Sequence, residues 1–186
     1  MVLAGGRGSR LGGREKGELR VGGERLIDTV VEAALEAGCR SAIAVGDIAC
    51  EKATVLREDP PFGGPAAGLA AAMPLAESDW IMLLACDLPH ARSLCRLLAG
   101  ESARVGPRQD GVITILDGHP QWLAGCYRCS ALADALAETG GPDGTSMRQL
   151  TGNLDLRQVD DPHGWSRDID TPADLERMTT EGETDE

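Results

Sequence analysis

The sequence predicts an α/β fold of three layers, in which a mainly parallel, Rossmann-like sheet is covered by helices on both faces and carries one antiparallel hairpin. Three observations lead to this prediction. Strand-like apolar runs alternate with helix-like segments through the first half of the chain, which is the order of βαβ units. The apolar run over residues 80–86 is continuous rather than alternating, as in a strand covered on both faces. Two later runs flank the turn Asp117-Gly118 and can pair as a hairpin.

The first half of the chain supplies the elements of a parallel sheet. Residues 1–4 are apolar and lead into Gly5, so they predict a strand that ends in a loop. Apolar residues recur at spacings of three and four over residues 26–35, which predicts a helix that stops at Gly38. Two further strands are expected, at residues 42–45 and 54–56.

The second half continues the alternation and then changes to antiparallel pairing. A helix is expected over residues 66–76 and another after the strand that ends before Asp87. The later elements are the hairpin at residues 112–116 and 121–127, a helix after Ser130 and a last element near Thr171. These elements predict one domain over residues 1–178. Residues 179–186 carry four acids and no base, so we expect a disordered acidic tail.

Length and composition fit a cytoplasmic enzyme domain. A chain of 186 residues can bury a core without metal or disulfide bonds. The sequence has no run of about 18 apolar residues, as a membrane helix needs, and no basic-then-apolar start typical of a signal peptide. The six cysteines are scattered through apolar runs, so we expect them to be reduced and mostly buried.

Charge separates the first segment of the chain from the rest. The formal net charge is −12, which argues against nucleic-acid binding because that binding needs clustered Lys and Arg. Residues 1–25 hold six basic and three acidic side chains, a net of +3, so the other 161 residues sum to −15. A basic segment on an acidic body suits a small anion bound at one site. A solvated basic loop is an equal alternative.

The basic segment is also rich in glycine. Residues 3–17, LAGGRGSRLGGREKG, contain six glycines and four cationic side chains. Glycines let backbone N–H groups approach phosphate oxygens, and the cations balance their charge. The spacing is not that of a dinucleotide fingerprint, which needs glycine where Leu11 stands, nor of a P-loop, which needs Ser or Thr where Gly17 stands. A glycine-rich turn without a ligand is the alternative.

Asp87 is the second candidate site residue. It follows the strand predicted over residues 80–86, so a parallel sheet places it at the same edge as the loop after Ala4. One carboxylate together with phosphate oxygens suits Mg²⁺, a hard cation. In nucleotidyl transfer a phosphate oxygen of the acceptor attacks the α-phosphorus while pyrophosphate leaves, so the protein positions and neutralises charge and needs no nucleophile of its own. An aspartate that caps a turn is the alternative.

These motifs resemble the molybdenum cofactor guanylyltransferases, within the nucleotidyltransferases of the nucleotide-diphospho-sugar transferase type. The resemblance begins with LAGGxxxRLGGxxKGxLxxxGxxLI at residues 3–27. It continues through EDP at 58–60, GGPAAGL at 63–69, CDLP at 86–89, PQWLAGCYR at 120–128 and DIDTPADL at 168–175. It implies Mg²⁺-dependent transfer of GMP from GTP to molybdopterin, with release of pyrophosphate. It also implies transient contact with molybdenum cofactor enzymes or chaperones.

Matched position by position, the resemblance assigns nucleotide and catalytic roles. The residues implied to contact the base and ribose are Leu3, Ala4 and Gly5. Those implied to contact the triphosphate are Gly6, Arg10 and Lys16. Asp59 corresponds to a guanine-nucleotide contact. The implied catalytic residues are Arg10, Lys16 and Asp87.

The resemblance implies a metal site as well. Asp87 corresponds to the magnesium ligand, and Asp170 or Asp168 would add a second carboxylate. The same stretch fits a capped helix start with proline in the first turn, so this role has a structural alternative. One departure concerns Gly46-Asp47, which stands where related enzymes carry an asparagine. That nucleotide contact is either lost or made by Asp47.

Several functions remain open at this point. LAGG rather than LAAG in the first motif favours GTP over CTP. The acceptor could instead be a sugar phosphate or phospholactate, and the domain could be a nucleotide-binding module without catalysis. His119 and Trp122 are candidates for the acceptor side or for a solvated loop. The pair Cys126 and Cys129 has zinc-like spacing but no second ligand pair, so we expect no metal there.

Overall fold

A seven-stranded sheet forms the centre of the molecule. The structure is a computed structural model that describes residues 1–5, 16–59, 61 and 63–182. The strands of the sheet are β1 (Val2–Leu3), β4 (Ile43–Val45), β5 (Thr54–Leu56), β6 (Trp80–Ala85), β7 (Gly111–Leu116), β8 (His119–Arg128) and β9 (Leu156–Asp160). Their spatial order is β5-β4-β1-β6-β8-β7-β9. Strand β8 is antiparallel to both of its neighbours, whereas the other neighbouring pairs of this sheet are parallel.

Helices cover both faces of this sheet, as the sequence predicts. One face packs against α1 (Leu26–Glu36) and α3 (Ala91–Ser102). The other packs against α2 (Pro65–Ala72), α4 (Cys129–Glu138) and α5 (Met147–Thr151). The sequence of β6 is continuously apolar because its alternate residues enter two different cores. Met82 and Leu84 face α1 and α3, while Ile81 and Leu83 face α2 and α4.

The predicted helices and strands are found with small changes of boundary. The helix expected over residues 66–76 ends at Ala72 and continues as a 3-10 turn, Met73–Leu75. Pro74 lies inside this turn, and because proline lacks a backbone N–H it cannot continue the α-helical hydrogen bonding. All six cysteines are free, and four of them are buried.

Three elements have no counterpart in the sequence prediction. A small hairpin of β2 (Arg20–Val21) and β3 (Glu24–Arg25) turns at two glycines with positive φ. Helix α5 begins at a capping box in which Ser146 and Gln149 bond each other's backbone N–H groups. Strand β9 adds to the edge of the sheet beside β7.

The last helix, α6 (Pro172–Gly182), packs on the small hairpin through a third cluster of buried apolar residues. It passes the domain boundary predicted at residue 178. Residues 183–186 of the predicted acidic tail lie outside the described residues, so the division into domain and tail stays a prediction. Among the helices described, none is long and apolar enough to cross a membrane.

Strands β1, β4 and β6 end together at one edge of the sheet. The Ala4 N–H donates to the Val45 carbonyl (2.7 Å), and the Cys86 N–H donates to the Leu3 carbonyl (3.2 Å). Gly46 follows β4 with φ +150, and a Cβ there would lie 3.0 Å from the carbonyl carbon and oxygen of Ala4. Glycine is therefore needed where the exits of β1 and β4 meet.

Replacing Gly46 with alanine should lower the free energy of unfolding by about 1–3 kcal/mol, because the new methyl group meets the Ala4 backbone at an unfavourable φ. Urea unfolding followed by circular dichroism measures the change. Gly100→Ala in α3 is the matched control. A Cβ at Gly100 meets no atom within 4 Å, so the control should be neutral or gain about 0.5–1 kcal/mol. Equal stability of the two variants would contradict the close approach.

Candidate active site

Three aspartates converge at the edge where β1, β4 and β6 end. Each of Asp87, Asp168 and Asp170 offers a carboxylate oxygen, and these oxygens all lie within 4.8 Å of one another. Asp87 is buried, with 4% of its surface exposed, whereas Asp170 is half-buried and Asp168 is exposed. In the described part of the chain this is the one cluster of His, Cys, Asp or Glu arranged to hold a metal ion. Cys126 and Cys129 belong to no such cluster among the described residues.

Backbone pairing places Asp87 at this edge. The Cys86 N–H still bonds to β1, so the chain leaves the sheet immediately before Asp87. Leu88, which is 1% exposed, is anchored in the core beside α1 and α3. The Asp87 side chain is thereby fixed between an anchored strand end and an anchored leucine.

The other two carboxylates come from the segment before α6, far away in sequence. The Ile169 N–H donates to the Asp87 carbonyl (3.1 Å), and the Ile169 side chain is buried against Leu19 and Leu26. The two neighbours of this buried residue, Asp168 and Asp170, bring carboxylate oxygens within 4.8 Å of a carboxylate oxygen of Asp87.

Asp161 orders the loop that leads into this segment. Its Oδ2 accepts hydrogen bonds from the Ser166 N–H and hydroxyl, both at 2.7 Å. Burial acts to raise the pKa of Asp161, but the Ser166 hydrogen bonds outweigh it, so the pKa is lowered. Arg167 then pairs with Asp117 at the turn of the β7–β8 hairpin (2.8 Å).

Lys16 is the cation of the cluster. Its Nζ donates to Asp87 Oδ2 (2.7 Å) and to Asp170 Oδ1 (2.5 Å). Partial burial acts to lower the pKa of Lys16, but the two carboxylates outweigh it, so the pKa is raised. The next residue, Gly17, is buried, and a Cβ there would meet Ile48 and Ile27. Glycine at this position lets the Lys16 backbone approach the core.

Asp168 completes the electrostatics of the cluster. Loss of hydration raises the pKa of Asp168, and the negative charges of Asp87 and Asp170 raise it further, against the opposing charge of Lys16. Three carboxylates at this distance repel one another unless cations lie between them. The donor set consists of oxygens alone, which is the preference of hard cations such as Mg²⁺ or Mn²⁺.

The loop after β1 begins beside this cluster. Leu3 and Ala4 are buried while Gly5 is exposed, so the first two can meet a ligand only through their backbone. Gly6 and Arg10 lie outside the described residues, and their roles stay predictions. Asp59 is exposed. Its neighbour Glu58 is 9% exposed, and a Cβ on Gly5 would lie 3.7 Å from Glu58 Oε1.

Sequence reasoning did not single out Glu58 as a site residue, although it lies inside the EDP motif. A buried carboxylate next to an exposed glycine is the feature that marks it, and this feature appears only in the folded chain. Asp47, the candidate replacement for the family's asparagine, pairs with Arg57 on the surface (3.1 Å). His119 is exposed at the start of β8, and its role on the acceptor side stays a prediction, as does that of Trp122.

The GGPAAGL motif brings a helix close to the same edge. Gly68 of α2 lies against β1 and β4, where a Cβ would be 3.3 Å from Val45 Cγ1 and 3.7 Å from Leu3 Cδ2. A different loop, residues 140–144, contacts the segment that precedes α2, since the Gly144 N–H donates to the Gly63 carbonyl (2.8 Å). Gly68 thus permits close packing of the helix on the sheet.

A family model described as the MobA-like NTP transferase domain matches residues 1–158. The chain belongs to this family. The match contains the loop after β1 and Asp87, while Asp168 and Asp170 lie beyond it. Membership makes this MobA-like domain a nucleotidyltransferase by family, which confirms both the family and the class of enzyme predicted from the motifs.

Several curated relatives are named for a more specific activity, molybdenum cofactor guanylyltransferase. The molybdenum cofactor guanylyltransferase of Pseudomonas syringae pv. syringae (strain B728a) is 37% identical over 95 residues, which cover 48% of this chain and 47% of the relative. That of Pseudomonas putida (strain GB-1) is 30% identical over 133 residues, which cover 63% of each chain. The MobA-like domain therefore spans about half the length of the first of these relatives.

Solved structures share the fold over the whole chain. Molybdopterin-guanine dinucleotide biosynthesis protein A from Archaeoglobus fulgidus is 25% identical with a TM-score of 0.66, over 96% of this chain and 95% of that chain. A Mycobacterium tuberculosis protein solved as a complex with manganese is 21% identical with a TM-score of 0.64, over 96% of each chain. The predicted fold type of the MobA-like domain is thereby confirmed.

Asp161→Ala should lower the free energy of unfolding by about 1–3 kcal/mol at pH 7, because the Ser166 N–H loses its charged acceptor. The folded pKa of Asp161 is depressed, so its contribution is present above the unfolded pKa of about 3.9 and is lost as the pH falls through the folded value. The stability gap to wild type should therefore narrow below about pH 4.

Urea midpoints at several pH values measure this gap. Asp160→Ala is the control, since Asp160 is the exposed neighbour of Asp161 and should show no such loss. A gap that stays constant into the acid range would mean that the Asp161 charge does not order the loop.

Proposed function

We propose that this domain transfers GMP from GTP to molybdopterin and releases pyrophosphate, with Mg²⁺ as its metal ion. The observation that supports this most is the position of Lys16 between Asp87 and Asp170, at the sheet edge where the glycine-rich loop begins. A phosphate-binding cation and metal-binding carboxylates within one site are what in-line transfer at a phosphorus atom requires. The names of the curated relatives support the choice of GTP and molybdopterin.

The residues present fit the proposed metal ion. Asp87 is the buried, backbone-fixed ligand, and Asp170 and Asp168 contribute further oxygens at the distances found in the cluster. Once bound, the ion would supply Lewis-acid stabilisation of the charge on the phosphates. The carboxylates would hold the ion beside the start of the loop, and they would not take part in bond making themselves.

Lys16 and the loop have the complementary task of binding the triphosphate. The Lys16 ammonium can donate to phosphate oxygens and balance their charge, and the proposed role of Arg10 is the same. An acceptor phosphate oxygen forms the new bond to the α-phosphorus as the bond to pyrophosphate breaks, so catalysis consists of alignment and charge neutralisation. No described side chain needs to act as a nucleophile.

The choice of guanine rests on the start of the loop. Gly5 is exposed beside buried Glu58, and the proposal places the base and ribose against the backbone of Leu3, Ala4 and Gly5, with Asp59 as a further contact. The net charge of −12 supports small-molecule substrates rather than nucleic acid. We place the enzyme in the cytoplasm, with transient contacts to molybdenum cofactor enzymes or chaperones.

Asp87→Asn should abolish most of the transfer, with kcat reduced by about 100-fold or more, because the buried metal ligand loses its charge. The assay incubates purified protein with Mg²⁺, molybdopterin and radiolabelled GTP or CTP and separates the dinucleotide product. Asp134→Asn, on the exposed surface of α4, is the control and should retain wild-type kcat.

The same assay separates the alternatives. If the dinucleotide forms with CTP but not with GTP, the proposed activity would be cytidylyl transfer instead of guanylyl transfer. Pyrophosphate release with a sugar phosphate or phospholactate, but not with molybdopterin, would change the acceptor. Binding of GTP without turnover, unaltered by Asp87→Asn, would indicate a non-catalytic nucleotide-binding domain.

A further inference from the structure

The ammonium group of Lys16 contacts two of the three aspartates in the carboxylate cluster. It is 2.7 Å from Asp87 Oδ2 and 2.5 Å from Asp170 Oδ1, and the oxygens of all three aspartates lie within 4.8 Å of one another. A hard divalent ion would use the same oxygens at about 2.0–2.5 Å. The lysine and a divalent ion therefore compete for the same ligands.

We infer that Lys16 acts as the built-in cation of the ligand-free site, and that the triphosphate of the nucleotide must draw it away before the three aspartates bind a divalent ion at full strength. This inference rests on the proposed function, because a triphosphate is what would accept the lysine. Metal binding and nucleotide binding are then coupled through one side chain.

The backbone around Lys16 restricts the change to the side chain. The Leu19 N–H donates to the Lys16 carbonyl (3.1 Å), and Leu19 is 6% exposed in the core. Gly17 is packed between Ile27 and Ile48. The Lys16 side chain is 29% exposed, so it has open space on one side while its backbone stays fixed.

Charge gives the direction of the coupling. Three carboxylates and one ammonium sum to −2, and the ammonium stands close to two of the oxygens that an incoming ion would need. Moving the ammonium onto a triphosphate frees these oxygens and removes a repulsive positive charge. Because linkage is reciprocal, the nucleotide must strengthen metal binding by the same factor by which the metal strengthens nucleotide binding.

The lysines of the chain offer a matched pair of variants. The sequence contains two lysines, Lys16 and Lys52. Lys52 forms an ion pair with Glu32 (2.8 Å), and its side chain is 62% exposed. Lys16→Met keeps most of the length of the side chain and removes its charge. Lys52→Met makes the same chemical change away from the site.

Mn²⁺ is the probe, and the primary measurement is its Kd without nucleotide, obtained by electron paramagnetic resonance of free Mn²⁺. Lys16→Met should bind Mn²⁺ at least about 5-fold more tightly than wild type, which is the lower end of usual coupling factors. Lys52→Met should bind it as wild type does. The double variant that combines Lys16→Met with Asp87→Asn should not show this tighter Mn²⁺ binding. That result would assign the tighter binding to this cluster.

A second measurement adds a non-hydrolysable GTP analogue. In wild type the analogue should tighten Mn²⁺ binding, and in Lys16→Met this tightening should be smaller. Lys16→Arg, which retains the charge, should resemble wild type without nucleotide. Circular dichroism establishes that each variant is folded.

Unchanged or weaker Mn²⁺ binding in folded Lys16→Met would overturn the inference. This result is distinguishable from failure of the proposed function, which shows as absence of any dinucleotide product in wild type. Tighter Mn²⁺ binding in Lys16→Met would support the built-in cation even if the natural acceptor were not molybdopterin.

Discussion

Parallel pairing of β1 with β6 is the constraint on which the site depends. The register sets Leu3 beside Ala85, so the glycine-rich loop and Asp87 leave the sheet at neighbouring points. A shift of one residue would turn every side chain of the strand to the opposite face of the sheet. It would also carry Asp87 away from the start of the loop. Burial of both faces of β6 fixes the register, because its alternate residues already fill two different cores.

The periodicity of the sequence predicts that the loop after β1 and Asp87 lie close together. The continuous apolar run before Asp87 predicts a buried central strand, and alternation of strands and helices predicts that its end meets the loop after β1. The resemblance added the family, which the match over residues 1–158 confirms. Neither the periodicity nor the resemblance predicted the hairpin β2–β3 or strand β9. Both are short or lie at an edge, so they have little apolar pattern of their own.

The segment 168–170 shows why the remainder of the site was harder to predict. The motif DIDTPADL supports two interpretations, a helix cap and a second carboxylate of a metal site. The structure contains the cap and brings the aspartates close to Asp87, while their metal role stays a prediction. Thr171 and Asp174 bond each other's backbone N–H groups in the manner of a helix cap, while Asp168 and Asp170 face Asp87. Which residues face the site is decided by burial of Ile169 against Leu19 and Leu26. This contact joins distant parts of the chain, and no local pattern contains it.

The cluster divides its charge between fixed and adjustable groups. Asp87 is held by backbone pairing, and Ile169 fixes the two other aspartates, so the negative charges cannot move apart when a cation leaves. Loss of hydration and, after it, repulsion by Asp87 and Asp170 raise the pKa of Asp168, and packing elsewhere has to offset this cost. Lys16 stands on a fixed backbone but has a long, partly exposed side chain. A site of this kind can exchange one cation for another without rearranging its core, which suits a reaction in which charged phosphates enter and leave at every turnover.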